Sequence, residues 1–229
     1  MLFRNTINVP EFETWKKNFV CSKRYSQVYD LFHTNLNKEQ NRRKNECSIN
    51  PRDRRFGKKD INDNLYTIFW YEWILNQLNF DDLVFDIGCG NNLFKPLYLN
   101  HNLVGIDKGK FLCDIQAHLK DLDEYKGKLR SAFCFNSIHF ANDEGFKSNL
   151  DYLSGLLQPK CLAVVTVNNH RLNSHRDKSI ELKVDSVNRL YDTIWLSEMY
   201  DLVYFESLME YTNVKNDLVG DIHLVIRSK

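Results

Sequence analysis

The sequence predicts an α/β protein with a doubly wound, seven-stranded, mostly parallel sheet whose last strand is antiparallel, preceded by a helical N-terminal extension. From residue 83 onward, short apolar runs of strand length alternate with stretches of helical spacing. This succession is typical of a parallel sheet covered by helices on both faces. The last two apolar runs are joined without a helix between them, which favours antiparallel pairing at the carboxyl end.

The expected elements follow one another in a regular order. In the first part of the chain, apolar spacing predicts helices over 11–20, 25–36 and 64–78. Strands are expected at 83–87, 103–107, 111–115, 131–138, 161–167, 201–208 and 221–227. Helices are expected between them near 93–99, over 144–157 and over 185–199. We therefore divide the chain into an extension, 1–63, and an α/β domain, 64–229.

Length and composition limit the class of protein. A chain of 229 residues can bury roughly 70% of its surface, enough for one substantial core without disulfides or metals. Its longest apolar stretch is far below the ~20 residues needed to cross a bilayer, and no secretory signal is visible. The six cysteines form no C-x-x-C pair, so buried reduced thiols are favoured over a zinc site. We expect a soluble cytoplasmic protein with no membrane partner.

A basic segment, Lys38–Lys59, interrupts the extension. It holds nine basic and three acidic residues, a net charge of +6, whereas the rest of the chain carries −5. With Pro51, Gly57 and few large apolar residues, it is predicted to be a loop or mobile arm. Such an arm could be a solvated lid, or it could contact the phosphates of a nucleic acid. No aromatic residue is interleaved before Phe56, so base stacking is not indicated.

The first predicted strand ends in a glycine-rich turn, Asp86-Ile87-Gly88-Cys89-Gly90. Glycines at a strand-to-helix turn let the backbone approach a ligand where a Cβ would clash. The next strand ends in Asp107, whose carboxylate can accept hydrogen bonds from both hydroxyls of a ribose. The two strand ends together predict a nucleoside-binding crevice.

The common nucleotide motifs do not fit this turn. The dinucleotide fingerprint G-x-G-x-x-G fails because Leu93 occupies the position of the third glycine. Asp86 would repel a pyrophosphate, but it suits a ligand that carries a cationic amino-acid tail. A phosphate loop of the form G-x-x-x-x-G-K-[ST] is also missing from the sequence.

On these residues the sequence resembles the class I S-adenosylmethionine-dependent methyltransferases, which have a Rossmann-like fold. The matching stretches, within residues 64–229, are FDIGCGNN (85–92), GID (105–107), CDI (113–115), FCFNSIHF (133–140) and LLQPKCLAVVTVNN (156–169). The resemblance implies S-adenosylmethionine as cofactor, with the methionine part near the first loop, the ribose at the second strand and the adenine at the third. The implied cofactor-binding residues are Asp86, Gly88, Cys89, Gly90, Asp107, Lys108, Asp114, Ile115 and Asn136.

Two positions depart from the family pattern. Asn92 stands where the family often has a third glycine. The segment between Asp107 and Asp114 is too short for the usual helix, so Asp114 could cap the next helix instead of approaching the adenine.

The acceptor side of the predicted site is formed by the ends of the fourth and fifth strands. His139 is the first choice for acid–base catalysis, because an imidazole titrates near neutral pH, although it could instead pack against Phe140. Asn168, His170 and Arg171 are the predicted acceptor-binding residues. We expect no metal, since His170 and His175 lack a third ligand nearby.

The fourth-strand motif limits the acceptor class. Family enzymes that methylate base amines in DNA have two prolines after the Asn or Asp at this position, and cytosine carbon methylation needs a Pro-Cys pair. FNSIHF contains neither proline nor cysteine after Asn136, and it looks more like the motif of small-molecule methyltransferases. A small-molecule acceptor is therefore favoured. RNA or another nucleic acid bound by the basic segment, and a cofactor-binding module without catalysis, remain open.

Overall fold

The computed structural model describes residues 9–46, 60–109, 111–138, 143–168, 191–212 and 218–229. The helices are α1 (Val9–Val20), α2 (Lys23–Glu46), α3 (Asp60–Leu75) and α4 (Asp143–Leu156), and residues 191–195 are also helical. The strands are β1 (Val84–Ile87), β2 (Leu103–Asp107), β3 (Ile115–Gln116), β4 (Leu129–Phe135), β5 (Leu157–Asn168), β6 (Tyr200–Thr212) and β7 (Leu218–Ser228). Short 3-10 turns lie at Lys95–Leu97, Leu119–Asp121 and Asp123–Tyr125.

The strands form one seven-stranded sheet in the order β3-β2-β1-β4-β5-β7-β6. β7 runs antiparallel to both of its neighbours, β5 and β6, and the other pairs are parallel. The predicted doubly wound sheet with an antiparallel last strand is therefore confirmed. Since β1, β2 and β4 are parallel neighbours, their carboxyl ends meet at one edge of the sheet.

The sheet has a separate apolar layer on each face. One face packs against α4 through residues such as Phe85, Ile106 and Phe146. The other face is covered by a layer rich in aromatic side chains to which α1, α2 and α3 all contribute. Within that layer the Phe12 ring stacks on Trp70, with the ring centroids 4.5 Å apart. The N-terminal helices thus share a core with the sheet.

An ion pair between a half-exposed arginine and a buried glutamate joins two of these helices. The Glu72 side chain on α3 is only 3% exposed, and the Arg24 guanidinium on α2 lies 2.9 Å from its Oε1. The same guanidinium lies over the Tyr98 ring, 5.9 Å from its centroid. Because a buried carboxylate needs a partner, this contact helps to fix α2 against α3.

Several expected bounds differ from the structure. The strand expected over 111–115 is only the two residues of β3. The chain turns after β2 and reaches the edge of that strand again only at Asp114, whose N–H donates to the Gly105 carbonyl, and at Ile115, which pairs with Ile106. The helix expected near 93–99 is a single 3-10 turn, with Pro96 at its start. Leu97 and Tyr98 of this segment are buried in the core, and Leu93 and Phe94 pack against it, so the chain turns towards β2 instead of extending a helix.

The first part of the basic segment also differs from the expectation. Lys38–Glu46 continues α2, so the predicted loop is helical over those residues, while 47–59 lie outside the described residues. The proposed boundary between residues 63 and 64 falls inside α3. Of the helix expected over 185–199, residues 185–190 lie outside the described residues, 191–195 are helical, and the chain leaves the helix at Leu196. Among the helices of the described ranges, none combines the length and apolar character that a bilayer span requires.

Candidate functional site

The turn after β1 is pressed against the end of β4. Gly88 has a φ of +79°, and its N–H donates to the carbonyl of Ile106 at 2.7 Å. A Cβ built on Gly88 would lie 2.1 Å from the Cβ of Ser137. Glycine is therefore required here for two reasons, the left-handed backbone and the close approach of the β4 end.

Asp107 joins this turn to the end of β2. Its Oδ2 accepts a hydrogen bond from the Gly90 N–H at 3.0 Å, and its Oδ1 accepts one from the Gly109 N–H at 2.7 Å. Gly90 has a φ of +56°, and a Cβ built on it would meet no heavy atom within 4 Å. The loop is thus fixed by Asp107 and has an open cradle above Gly90. Each carboxylate oxygen of Asp107 retains a further lone pair for a ligand hydroxyl.

Asp86 is a buried carboxyl beside this loop. The residue is 4% exposed, and burial raises its pKa to about 7, with a further rise from Asp107. The Tyr71 hydroxyl on α3 lies near this carboxyl and partly offsets the rise in its pKa, although no hydrogen bond joins the two groups. A half-ionised acid at the carboxyl end of β1 can receive a cationic group from a ligand.

Cys89 and Lys108, both predicted to bind the cofactor, flank these residues. The Cys89 thiol donates to the carbonyl of Gly90 at 3.5 Å. Burial and the nearby carboxyls of Asp86 and Asp107 raise the pKa of this thiol, so it is a neutral side chain and a poor nucleophile. Lys108 directly follows Asp107 and is exposed to solvent.

Asp114, predicted to approach the adenine, makes several contacts within the chain. Its Oδ2 accepts from the Gly105 N–H at 2.7 Å, and the Lys95 ammonium lies 2.6 Å from its Oδ1. Partial burial raises its pKa, but the hydrogen bonds from Lys95 and Gly105 lower it below the ordinary value. Ile115 pairs with Ile106 in the sheet and packs against the core on the α4 side. In this geometry Asp114 links the loop after β1 to β2, and its approach to an adenine remains a prediction.

The end of β4 contributes Asn136 and Ser137. Asn136 has a φ of +51°, which is uncommon for a residue other than glycine, and its N–H donates to the carbonyl of Thr166 at 2.9 Å. The Ser137 hydroxyl is buried and has no hydrogen-bond partner among the described residues. An unsatisfied buried hydroxyl is uncommon in proteins, and this one lies next to Gly88.

The predicted acceptor side lies mostly outside the described residues. His139, His170 and Arg171 are among the residues for which no structure is described. Asn168 ends β5, where its backbone pairs with Asp221, and its side chain is not described. These four assignments stay predictions. No group of three potential metal ligands occurs within the described ranges.

Sequence reasoning missed the contribution of α3 to the site. The Tyr71 side chain is fully buried, and its ring packs between Phe94, Tyr98, Phe133 and Phe135 at centroid distances of 4.2 to 5.3 Å. Residues 67–72 of α3 are all buried, so the sequence offers no periodic signal that singles out one side chain. Only the packing of α3 on the sheet brings Tyr71 to Asp86.

Comparisons with known proteins identify the fold. No family model matches the sequence, and no curated protein matches it. Magnesium protoporphyrin IX methyltransferase (ChlM) from Synechocystis PCC 6803, with bound SAM, superposes with a TM-score of 0.50 at 13% identity, over 74% of this chain and 81% of that one. A second structure, described by the conversion of a disulfide bond into a thioacetal group during echinomycin biosynthesis, superposes with a TM-score of 0.50 at 12% identity. The match covers 70% of this chain and 80% of that one.

A mutant of the 16S rRNA (adenine(1408)-N(1))-methyltransferase from Catenulisporales acidiphilia gives a TM-score of 0.49 at 11% identity, over 69% of this chain and 89% of that one. The superposition on ChlM, with its TM-score of 0.50, shows that the chain has the fold of the class I S-adenosylmethionine-dependent methyltransferases, as the sequence predicted. At such low identity the likeness extends to the fold alone.

Proposed function

We propose that this protein binds S-adenosylmethionine and transfers its methyl group to a small-molecule acceptor. One observation carries the proposal: the Asp107 carboxylate at the tip of β2 is held by the Gly90 N–H of the loop after β1. In this fold a ligand binds outside the carboxyl ends of the strands, where these two loops meet. The glycines and acids that the sequence assigned to one nucleoside site are thus neighbours in space.

The chemistry of the loop residues suits an adenosyl amino acid. The open cradle above Gly90 leaves room for a ligand against the backbone, and the buried Ser137 hydroxyl lacks a partner among the described residues. We assign the ribose hydroxyls to Asp107 and the cationic amino-acid end to Asp86. Asn136 follows β4 at the same edge and would line the cofactor. ChlM, which has the same fold, was crystallised with SAM, and this supports the choice of ligand.

When bound, the sulfonium supplies an electrophilic methyl group that needs no covalent help from the protein. The residues of this chain therefore act by position. Asp107 and the loop around Gly88 and Gly90 hold the donor at a fixed angle, which is worth up to ~7–11 kcal/mol when donor and acceptor are aligned. If the acceptor must lose a proton, His139 is our candidate for the base.

The small-molecule acceptor is inferred from the fourth strand. The stretch after Asn136 has neither the prolines of base-amine methyltransferases nor a Pro-Cys nucleophile. ChlM, named for its substrate magnesium protoporphyrin IX, has the same fold. The +6 charge of Lys38–Lys59 favours a second candidate, an RNA or other nucleic-acid acceptor.

Titration calorimetry with S-adenosylhomocysteine tests the cofactor site. Loss of charge-assisted hydrogen bonds, each worth ~1.5–3 kcal/mol, should weaken the binding of Asp107→Ala by roughly 2–4 kcal/mol, about 30- to 700-fold. Asp107→Asn, which keeps the shape but not the charge, should bind with intermediate affinity. The matched control is Asp201→Ala, because Asp201 lies near the start of β6 at the opposite edge of the sheet.

Two results would contradict the proposal. Wild-type protein that binds no S-adenosylhomocysteine would exclude the cofactor site, and equal affinities for wild type and Asp107→Ala would mean that the ribose is held elsewhere.

Transfer of a labelled methyl group then separates the acceptor classes. Label in a small-molecule fraction supports our choice, label in RNA with salt-sensitive binding supports the second candidate, and tight binding without transfer to any fraction indicates a non-catalytic module.

A further inference from the structure

The side chain of Asp114 lies where the loop after β1 meets the edge of β2, among donors of its own chain. Its Oδ2 accepts a hydrogen bond from the Gly105 N–H at 2.7 Å and lies 3.4 Å from the Asn92 amide nitrogen. Its Oδ1 lies 2.6 Å from the Lys95 ammonium. We call Asn92, Lys95 and Asp114 the Asp114 cluster. It joins two segments of the chain through one carboxylate.

Both ends of the ion pair in this cluster are anchored to rigid parts of the fold. Next to Lys95, the Phe94 ring stacks on Phe32 of α2, with the ring centroids 5.2 Å apart. On the other side, the Asp114 N–H donates to the Gly105 carbonyl of β2 at 2.9 Å. The ion pair therefore connects the aromatic layer under the loop to the edge of the sheet, and it limits how far the loop after β1 can move away from β2.

Two further contacts join the same loop to the end of β2 and the turn that follows it. The Leu112 N–H donates to the side-chain oxygen of Asn91 at 3.0 Å, and Asp107 accepts from the Gly90 N–H at 3.0 Å. In this fold a ligand binds where these two segments meet, outside the carboxyl ends of the strands. The shape of the crevice thus depends on how firmly the two segments are held together.

The acceptor capacity of Asp114 is largely used within the chain. A carboxylate oxygen has about two lone-pair sites. On Oδ2 they are taken by the Gly105 N–H and the Asn92 amide, and on Oδ1 one of them is taken by the Lys95 ammonium. An amino group of a ligand would have to compete with these donors. The contacts therefore favour a supporting role for Asp114 over direct recognition of a purine amino group.

We propose that Asp114 and Lys95 are positioning residues that hold the loop after β1 against β2, and that Asp114 does not recognise the amino group of the purine. This inference rests on the proposed function, because it takes an adenosyl compound as the ligand. A loop that is already fixed loses less conformational freedom when a ligand binds. Loss of the ion pair should then weaken every ligand of the crevice alike, whatever its base.

Two ligands that differ only in the base test this proposal by titration calorimetry. They are S-adenosylhomocysteine and S-inosylhomocysteine, in which an oxo group replaces the amino group. Asp114→Asn keeps an oxygen for the Gly105 N–H but loses the charge, and Lys95→Met loses the cation. Each variant should weaken both ligands by about 3- to 10-fold, a modest loss because the paired side chains are one third exposed. The double variant should be within about 2-fold of either single variant, because the shared interaction is already lost.

The matched control is Lys147→Met on α4. The Lys147 ammonium lies 2.9 Å from Asp151, and the side-chain exposures of 31% and 29% are close to the 34% and 32% of Lys95 and Asp114. Lys147→Met should bind both ligands like the wild type, and Lys95→Arg, which keeps the cation, should restore most of the affinity. Amide hydrogen exchange of residues 88–92 in the ligand-free protein should be faster in Lys95→Met and unchanged in Lys147→Met.

The outcomes separate this inference from the function on which it rests. Wild-type affinity and wild-type exchange in Lys95→Met would overturn the inference and leave the cofactor site intact. The same holds if Asp114→Asn weakens the adenine compound alone, since Asp114 would then bind the amino group. Failure of the wild type to bind either ligand would overturn the proposed function, and the inference with it. If Asp114→Asn does not fold, the comparison of Lys95→Met with Lys147→Met still decides the matter.

Discussion

The contact between Asn92 and Gly105 gives a sharp test of how the loop after β1 is packed against β2. Asn92 stands at a position with a φ of +56°, and its side chain lies directly over Gly105. A Cβ built on Gly105 would come 1.7 Å from the Oδ1 of Asn92 and 2.5 Å from its Cγ. We predict that Gly105→Ala is destabilising in the wild type and harmless once Asn92 is replaced by glycine.

The magnitudes follow from the geometry. In the wild type, the added methyl group must displace the amide, and such overpacking costs about 1–3 kcal/mol of unfolding free energy. Asn92→Gly is destabilising in two ways, because it removes a 3.4 Å hydrogen bond to Asp114 and gives the unfolded chain more conformational entropy. It is stabilising in a third way, because glycine adopts the left-handed backbone without strain. The net change in unfolding free energy should therefore be within about 1 kcal/mol. Without the amide, Gly105→Ala should stabilise by about 0.4–1 kcal/mol, because alanine has less freedom to lose. The coupling free energy is therefore roughly 1.5–4 kcal/mol.

Urea unfolding followed by tryptophan fluorescence measures all four proteins of this cycle. With a slope of about 2–3 kcal/mol per molar, Gly105→Ala should lower the wild-type midpoint by about 0.3–1.5 M. The same substitution should leave the midpoint of Asn92→Gly unchanged or raise it. If the two backgrounds respond alike to within about 0.5 kcal/mol, the side chain of Asn92 does not cover Gly105 and our account of this packing is wrong.

Three other substitutions test buried charges. Arg24→Met removes the cation that pairs with the buried Glu72 carboxylate. We expect it to lower the unfolding free energy by about 1–3 kcal/mol, a range that is kept small because the arginine is half-exposed. A loss under about 0.5 kcal/mol in urea unfolding would contradict this prediction. His223 accepts a hydrogen bond from Trp70 Nε1 at 3.1 Å, and burial lowers its pKa to about 4, so protonation of the unfolded chain should cost about 2 kcal/mol of stability between pH 7 and 5. His223→Asn should abolish that part of the acid sensitivity in thermal melts, and an unchanged difference between the two pH values would refute it. Asp86 has a pKa raised by burial to about 7, so the folded state resists its ionisation as pH rises above the unfolded value. Asp86→Asn should therefore stabilise the ligand-free protein by about 2–3 kcal/mol more at pH 8 than at pH 5, and equal stabilisation at both would exclude this assignment.

Most of the sheet could be predicted from the sequence because buried strands produce local apolar runs. The runs that became β1, β2, β4 and β5 are short and continuous, as two-sided burial requires. The placement of Asp107 beside Gly90 was also predictable, because it follows from a parallel pair of strands ending at one edge. The length of β3 was overestimated, because composition alone does not distinguish a short apolar strand from a turn whose apolar side chains are buried.

The parts of the site that escaped prediction depend on contacts distant in sequence. The carboxylate of Asp114 is engaged by the Gly105 N–H, which only the register of β2 with the following turn reveals. Tyr71 reaches Asp86 because one face of α3 packs on β1 and β4. The middle of this helix, residues 67–72, is buried throughout, so its sequence does not reveal which face that is. Local patterns thus identify elements, whereas the pairing of side chains across elements needs the packed structure.

The aromatic layer over the sheet has a consequence for how this protein can be cut or recombined. A fragment beginning where the family likeness begins would lose Phe12 and Phe32, and would leave rings such as Trp70 facing water. Such a fragment would tend to aggregate, so the leading helices must accompany residues 64–229 in any hybrid or truncated variant.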